Sequence, residues 1–174
     1  MHYLQVLPEA LRPLALGLIS LMTAALTKVS PAWPTTYDAP EAIEAVAVAV
    51  MQDPQEPVFE TRGLDAVVMI DWARQESSFK KHAKGDHSSS HGYLSHGLWQ
   101  QRTRAGLSDS ALVQAQAELR MLHEGKRLYA PSPAAVLWGG HGFVVPAYKE
   151  RAEVLADKRV ARARGLYLAA LGFD

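Results

Sequence analysis

Glu76 is the residue of this sequence most able to do chemistry. In the stretch predicted as a helix over about 62–79, Leu64, Val68 and Trp72 recur four apart, the same step lands on Glu76, and Phe79 follows three later. On a helix this spacing puts a carboxylic acid on the apolar face, near the C-terminal end. Asp65, Arg74 and Ser78 fall mainly elsewhere. Desolvation disfavours the charged form of a carboxyl. One that keeps its proton near neutral pH can act as a general acid toward a leaving oxygen. The competing expectation is structural: Glu76 is half exposed, or meets an arginine such as Arg102 or Arg104, and only holds the fold.

The histidines form a second constellation. His82, His87, His91 and His96 fall within 15 residues, with His141 further on. Neutral imidazoles suit zinc, and a three-histidine site would make a metal-dependent hydrolase. The spacing matches no helix-borne ligand pair, because His87 and His91, four apart, sit in a Gly- and Ser-rich stretch. A polar loop over a cleft accounts for them without a metal, so no metal ligand is assigned; His82 or His96 could still touch a substrate.

The elements that must position Glu76 read as helices punctuated by Pro, Gly and Ser. Pro31, Pro34 and Pro40 mark an extended connection over 30–40. Asp38 and Glu41 have the spacing of a capping box ahead of a helix over about 40–51 carrying Ile43, Val46, Ala47 and Val50, with Pro54 and Pro57 after it. Residues 80–106 read as loop, with room for a short ribbon. Ser108 or Asp109 caps a helix to about 124, with Leu112, Ala115, Leu119 and Leu122 on one side and Gly125 as its stop. Ser132-Pro133 opens a short helix closed by Gly139-Gly140. Pro146 opens a last helix to about 171 with Leu155, Ala163, Leu166 and Tyr167 inward. Its 148–164 part, with six basic residues against three acids, reads as a solvated face.

Composition bounds the partners. The 174 residues are 48% apolar, enough for one core. Eighteen basic and eighteen acidic residues cancel, so no nucleic-acid partner is expected. The absence of cysteine excludes disulfides and thiolate zinc sites. Leu14 to Leu26 form an apolar run of 13 residues. A bilayer crossing takes about 20, so no stable membrane span is expected. The run suits the core of a secretory signal, with Ser30-Pro31-Ala32 as cleavage site, or a packed helix over 14–27. The chain therefore divides into an N-terminal apolar segment, 1–33, and a domain over 34–174.

Gln75-Glu76-Ser77-Ser78-Phe79 resembles the signature of the soluble lytic transglycosylases and goose-type lysozymes, of the lysozyme-like superfamily. In that family the Glu of an E-S-x-F segment ends a helix and is the catalytic acid. Ser95-His96-Gly97-Leu98-Trp99-Gln100 resembles the family's second motif, which lines the cleft floor, and Gly85-Asp86 resembles the G-D that often precedes it. Ala135-Val136-Leu137-Trp138-Gly139-Gly140 stands where the third motif, A-x-A-Y-N-x-G, is expected. It departs there, with Trp138 for the usual Tyr and Gly139 for the substrate-contacting Asn. The resemblance covers roughly residues 62–142.

The resemblance implies a mainly α fold, a single lysozyme-like domain with a short β-ribbon or long loop lining the cleft. It implies a lytic transglycosylase that needs no cofactor, acts on peptidoglycan glycan strands and breaks the bond from N-acetylmuramic acid to N-acetylglucosamine. Such proteins work in the bacterial periplasm or envelope, as secreted enzymes, or in phage particles. Glu76 would be the catalytic residue. Ser77 would support the sugar or the Glu, Ser95 would line the cleft, and Gln100 would bind the acetamido group. Trp99 and Trp138 would stack on sugars or keep the Glu76 pocket dry. Asp86 would activate water if the reaction were hydrolysis; otherwise it is a turn residue after Gly85. The alternatives are a lysozyme, a non-catalytic peptidoglycan-binding protein, and a His-ligated zinc amidase or endopeptidase.

Overall fold

The computed structural model describes residues 2–85, 87–89, 92–93, 95–101, 104–129 and 149–173. The chain is mainly α. Its helices are α1 (Arg12–Val29), α2 (Ala39–Gln52), α3 (Arg62–Ser77), α4 (Ala111–Tyr129) and α5 (Lys149–Ala170). Single 3-10 turns at Tyr3–Val6, Glu9–Leu11, Trp33–Thr35 and Arg104–Leu107 punctuate them.

Two helices are buried nearly all round. In α2 every residue from Ala42 to Val50 is buried, and in α3 every residue from Leu64 to Ala73. The four-residue stripe read from the sequence is present, but it is not an amphipathic face. Asp65 and Asp71 are buried as well, 2% exposed each, so polar residues occur on every side of a central helix. α1, α2, α4 and α5 all pack on α3. The Thr61 hydroxyl starts α3 by accepting from the Leu64 N–H at 3.0 Å. The Asp65 carboxylate ties the preceding loop down through the N–H groups of Val58 (2.9 Å) and Phe59 (2.8 Å).

The apolar N-terminal segment is α1 in this structure. Ala15, Met22, Ala25 and Leu26, with Tyr3 and Leu7 before them, join the same core as α2 and α3. Residue 33 is thus a connection within one packed unit, not the edge of an appendage. With its flanking turn, Glu9–Val29 is 21 residues long and apolar enough to cross a membrane by length and composition alone. That is longer than the 13-residue run suggested. Leu14 and Leu16 on its outer face are exposed.

Three local expectations are corrected. The Asp38–Glu41 capping box does not form, because Asp38 accepts from the Lys81 N–H and Glu41 turns to Tyr3 and Lys81. Gly125 does not stop α4; it is buried within the helix, which continues to Tyr129. Leu155 is exposed, whereas Ala163 is buried and Leu166 and Tyr167 pack partly buried on the core as expected, with Ala156 and Val160 completing the inward stripe of α5. The 80–106 stretch contains the short ribbon: β1 (His87–Ser88) pairs antiparallel with β2 (Gly92–Tyr93). The short helix expected over 132–140 lies outside the described residues.

Candidate functional site

Glu76 sits on the last turn of α3, at the end of its buried length. One turn back, the Trp72 indole N–H donates to Glu76 Oε1 at 3.0 Å. From α5 the Arg159 guanidinium donates to the same oxygen at 2.5 Å and lies 5.8 Å from the Trp72 ring centre. The Glu76 side chain is 25% exposed and that of Arg159 is 20% exposed. The expected arginine partner therefore exists as Arg159, from 83 positions away; Arg102 and the side chain of Arg104 lie outside what is described.

The basic part of α5 is exposed at Lys158, Arg162 and Arg164, as a solvated face is, but its arginines also reach acids of other elements. Arg162, one turn beyond Arg159, stands 3.6 Å from the carboxylate of Asp71. Arg74 Nε and the Gln75 amide also donate to Asp71, at 3.0 and 2.7 Å. Further along, Arg164 pairs with Glu60. Arg159 and Arg162 thus reach α3, and Arg164 reaches the loop before it.

The chain leaves α3 through strained backbone. Ser78 (φ 52°) and Phe79 (φ 62°) are both left-handed although neither is glycine. Burial holds the strain: Phe79 is fully buried and meets the Trp33 ring edge-on at 5.9 Å, and its carbonyl accepts from the Asp38 N–H. Lys81 then donates its N–H to Asp38 (2.7 Å) and its ammonium to Glu41 (2.8 Å). The start of α2 therefore fixes the exit from the Glu76 helix.

The second motif is folded onto the same helix. The Trp99 indole N–H donates to the Met69 carbonyl of α3 at 2.8 Å. Met69 lies seven residues, or two turns, before Glu76 on the same side of the helix, about 10 Å along its axis. Behind the motif, α4 supplies a buried polar clamp. Gln114 accepts from the Leu98 N–H at 2.8 Å and donates to the carbonyls of Lys81 and Ser108. Gln101 donates to Glu118 at 3.0 Å and to the Gln114 carbonyl at 2.9 Å. Gly97 (φ +82°) must be glycine, since a Cβ would meet Gln114 at 2.5 Å and the Gly106 carbonyl at 2.7 Å.

Several predicted contacts are used internally. Ser77 is buried and its hydroxyl donates to the Ala73 carbonyl at 2.9 Å. Trp99 is 0% exposed. It is a core residue that joins motif to helix, and it offers no ring face for stacking. Ser95 is buried and donates to Gln100 Oε1 at 3.2 Å, while the Gln100 amide donates to the Gly97 carbonyl at 3.0 Å. Gln100 is half-buried and left-handed (φ 51°), and among the described residues no hydrogen bond joins it to Glu76. Asp86, Trp138, the third motif, His91 and His141 lie outside the described residues.

The chain matches no protein-family model, no curated protein and no solved structure.

Among the described residues no three His, Asp or Glu side chains gather as metal ligands. His82 is exposed and 3.7 Å from exposed Asp109. A cavity of about 340 Å³ opens elsewhere, between the end of α2 and α4, lined by Gln52, Asp53, Gln116, Leu119, Arg120 and His123 among others. His123 and Asp53 close to 2.6 Å in its wall.

Sequence reading missed Arg159, Arg162, Asp71, Gln101, Gln114 and Glu118. For Gln114 and Glu118 a signal existed: they are polar residues four apart on the side of α4 that carries Ala115 and Leu122, where only a satisfied network is tolerated.

Proposed function

We propose that this protein is a lytic transglycosylase of peptidoglycan. Glu76 protonates the oxygen that links N-acetylmuramic acid C1 to N-acetylglucosamine. The C1–O bond breaks, with the substrate's acetamido group supporting the cationic centre, which is how a single enzymatic carboxylate can suffice. Glu76 then takes the proton of the muramic acid C6 hydroxyl as O6 bonds to C1. The product is a 1,6-anhydro end, and no water is consumed.

The observation that carries this reading is the Trp99–Met69 bond. It brings two motifs separated in sequence onto one helix, with Glu76 at the end of that helix. The left-handed Ser78, Phe79 and Gln100 lend further support, because backbone strain at non-glycine residues clusters where geometry is imposed for function.

One observation favours a second reading, a non-catalytic peptidoglycan-binding protein. Arg159 occupies Glu76, and an ion-paired glutamate can serve the fold alone.

Mass spectrometry of products from purified peptidoglycan separates the two, with Glu76→Gln and a chelator as parallel samples. Muropeptides lighter by one water, absent with Glu76→Gln and unaffected by chelator, are expected. Ordinary reducing ends would mean a lysozyme. Activity lost with chelator would mean a zinc hydrolase. Binding without cleavage by the unaltered protein would leave the second reading.

A further inference from the structure

Asp71 and Glu76 both meet arginines of α5, and the two pairs are built differently. Asp71 is 2% exposed; Arg74 and Gln75 donate to it, and the Arg162 guanidinium stands 3.6 Å away. That carboxylate is an enclosed anchor. Glu76 and Arg159 are each partly exposed. Arg159 Nε is buried with no hydrogen-bond partner among the described residues. Arg74 Nη2, beside Asp71, is likewise buried without a partner among the described residues, so what sets the Glu76 pair apart is its exposure. The Glu76 pair is open to solvent where the Asp71 carboxylate is enclosed.

The chemistry of the site conflicts with this pair. A general acid must reach the leaving oxygen, and the Arg159 guanidinium already stands on the carboxyl that would do so. A leaving oxygen and Arg159 compete for the same carboxyl. Trp72 does not compete in this way, because its neutral N–H can stay on Oε1 throughout and fix the side chain. Arg159 projects from a helix that Arg162 and the buried Ala156, Val160 and Ala163 hold in place. Its long side chain can leave Glu76 while α5 stays put.

We propose that Arg159 is a positioning residue that latches Glu76 until a glycan strand displaces it. This inference rests on the reading of Glu76 as the catalytic acid. Displacement belongs to the binding step, so the latch raises KM and leaves kcat unaffected.

The test is steady-state cleavage of solubilised peptidoglycan glycan strands by the full chain, comparing wild type with Arg159→Gln, Arg159→Lys and Arg162→Gln, with folding followed by circular dichroism. A partly exposed ion pair is worth about a fivefold change in an equilibrium, so Arg159→Gln should lower KM by about fivefold with kcat unchanged. Arg159→Lys, which keeps the charge and loses the planar fork, should fall between. Arg162→Gln removes a neighbouring arginine from the same helix and should leave KM as it is. An unchanged or raised KM in Arg159→Gln while wild type cleaves would overturn the latch and leave the catalytic reading intact. If Arg159→Gln fails to fold, an unchanged KM in Arg159→Lys overturns it equally. Equal falls in KM for Arg159→Gln and Arg162→Gln would mean general loosening of α5 and would also overturn it. Cleavage by Arg159→Gln alone would overturn the claim that a glycan strand displaces Arg159, while keeping Glu76 as a competent acid. No cleavage by either wild type or Arg159→Gln would sink the catalytic reading, and the latch with it.

Discussion

Trp99 offers the sharpest separation between a side chain that builds the site and one that touches a ligand. Its ring is 0% exposed and its N–H donates to the Met69 carbonyl at 2.8 Å. Trp99→Ala removes the ring from a packed core, which costs about 3–5 kcal/mol. The lost hydrogen bond adds about 1 kcal/mol. The Met69 carbonyl is not orphaned, because the helical ladder offers it the Ala73 N–H. At about 2–4 °C per kcal/mol for a chain of this length, the melting temperature should fall by roughly 10 °C or more. Trp99→Phe keeps most of the ring and should lose only about 2 kcal/mol. Thermal unfolding by far-ultraviolet circular dichroism measures both, with sedimentation on insoluble peptidoglycan run on the same samples. A ligand-stacking Trp99 makes the opposite forecast: near-normal melting and lost sedimentation in Trp99→Ala. A fall of less than about 2 °C would refute the core assignment, and with it the argument that Trp99 fastens the second motif to α3.

Three other outcomes follow from the same geometry. Ser78 ends α3 in the left-handed region, so Ser78→Gly should raise stability by about 0.5–1 kcal/mol in urea unfolding, whereas a right-handed Ser78 would make the change destabilising. A Cβ at Gly85 would meet Gln100 Oε1 at 1.8 Å and Ser95 Oγ at 2.2 Å, so Gly85→Ala should break the Ser95–Gln100 bond. A cost of about 1–3 kcal/mol is expected, and an unchanged melting temperature would contradict that contact. Burial raises the Glu41 carboxyl, but the hydrogen bonds from Lys81 and Tyr3 and the Lys81 charge outweigh it, so its pKa is lowered overall. Its contribution is therefore present above the ordinary glutamate value of about 4.3 and lost as pH falls through the lower folded value. Wild type and Glu41→Gln should differ in melting temperature at pH 7 and converge in acid; a gap that persists at low pH would exclude the ion pair as its source.

How legible the sequence was depended on distance along the chain. Helix positions followed from local signals, since the apolar spacing acts within a few residues. Capping and stopping rules failed where a remote group competed. Asp38 had the spacing of a cap, yet the Lys81 N–H, 43 positions away, holds it more usefully. Gly125 had the look of a stop, but buried in the wall of the core it is simply carried through the helix. The α3 stripe was correct and its meaning was not: periodicity marks a face only if the other faces are wet, and here four helices cover them.

The Glu76 environment shows why the remainder was illegible. An unpaired glutamate on an apolar helix face and a glutamate paired from another helix have the same local sequence. What separates them is Arg159, whose own neighbourhood of alternating basic and small residues reads as solvent-facing. That pattern serves α5 because its acids are not the partners: Asp71, Glu76 and Glu60 on and before α3 are. The small residues Ala156 and Ala163 let α5 approach closely, and the arginines reach across at that short range. The same closeness that secures the helix also puts a cation on Glu76, the carboxyl we propose as the catalytic acid. Whether Glu76 serves reaction or fold therefore turns on how readily Arg159 lets go.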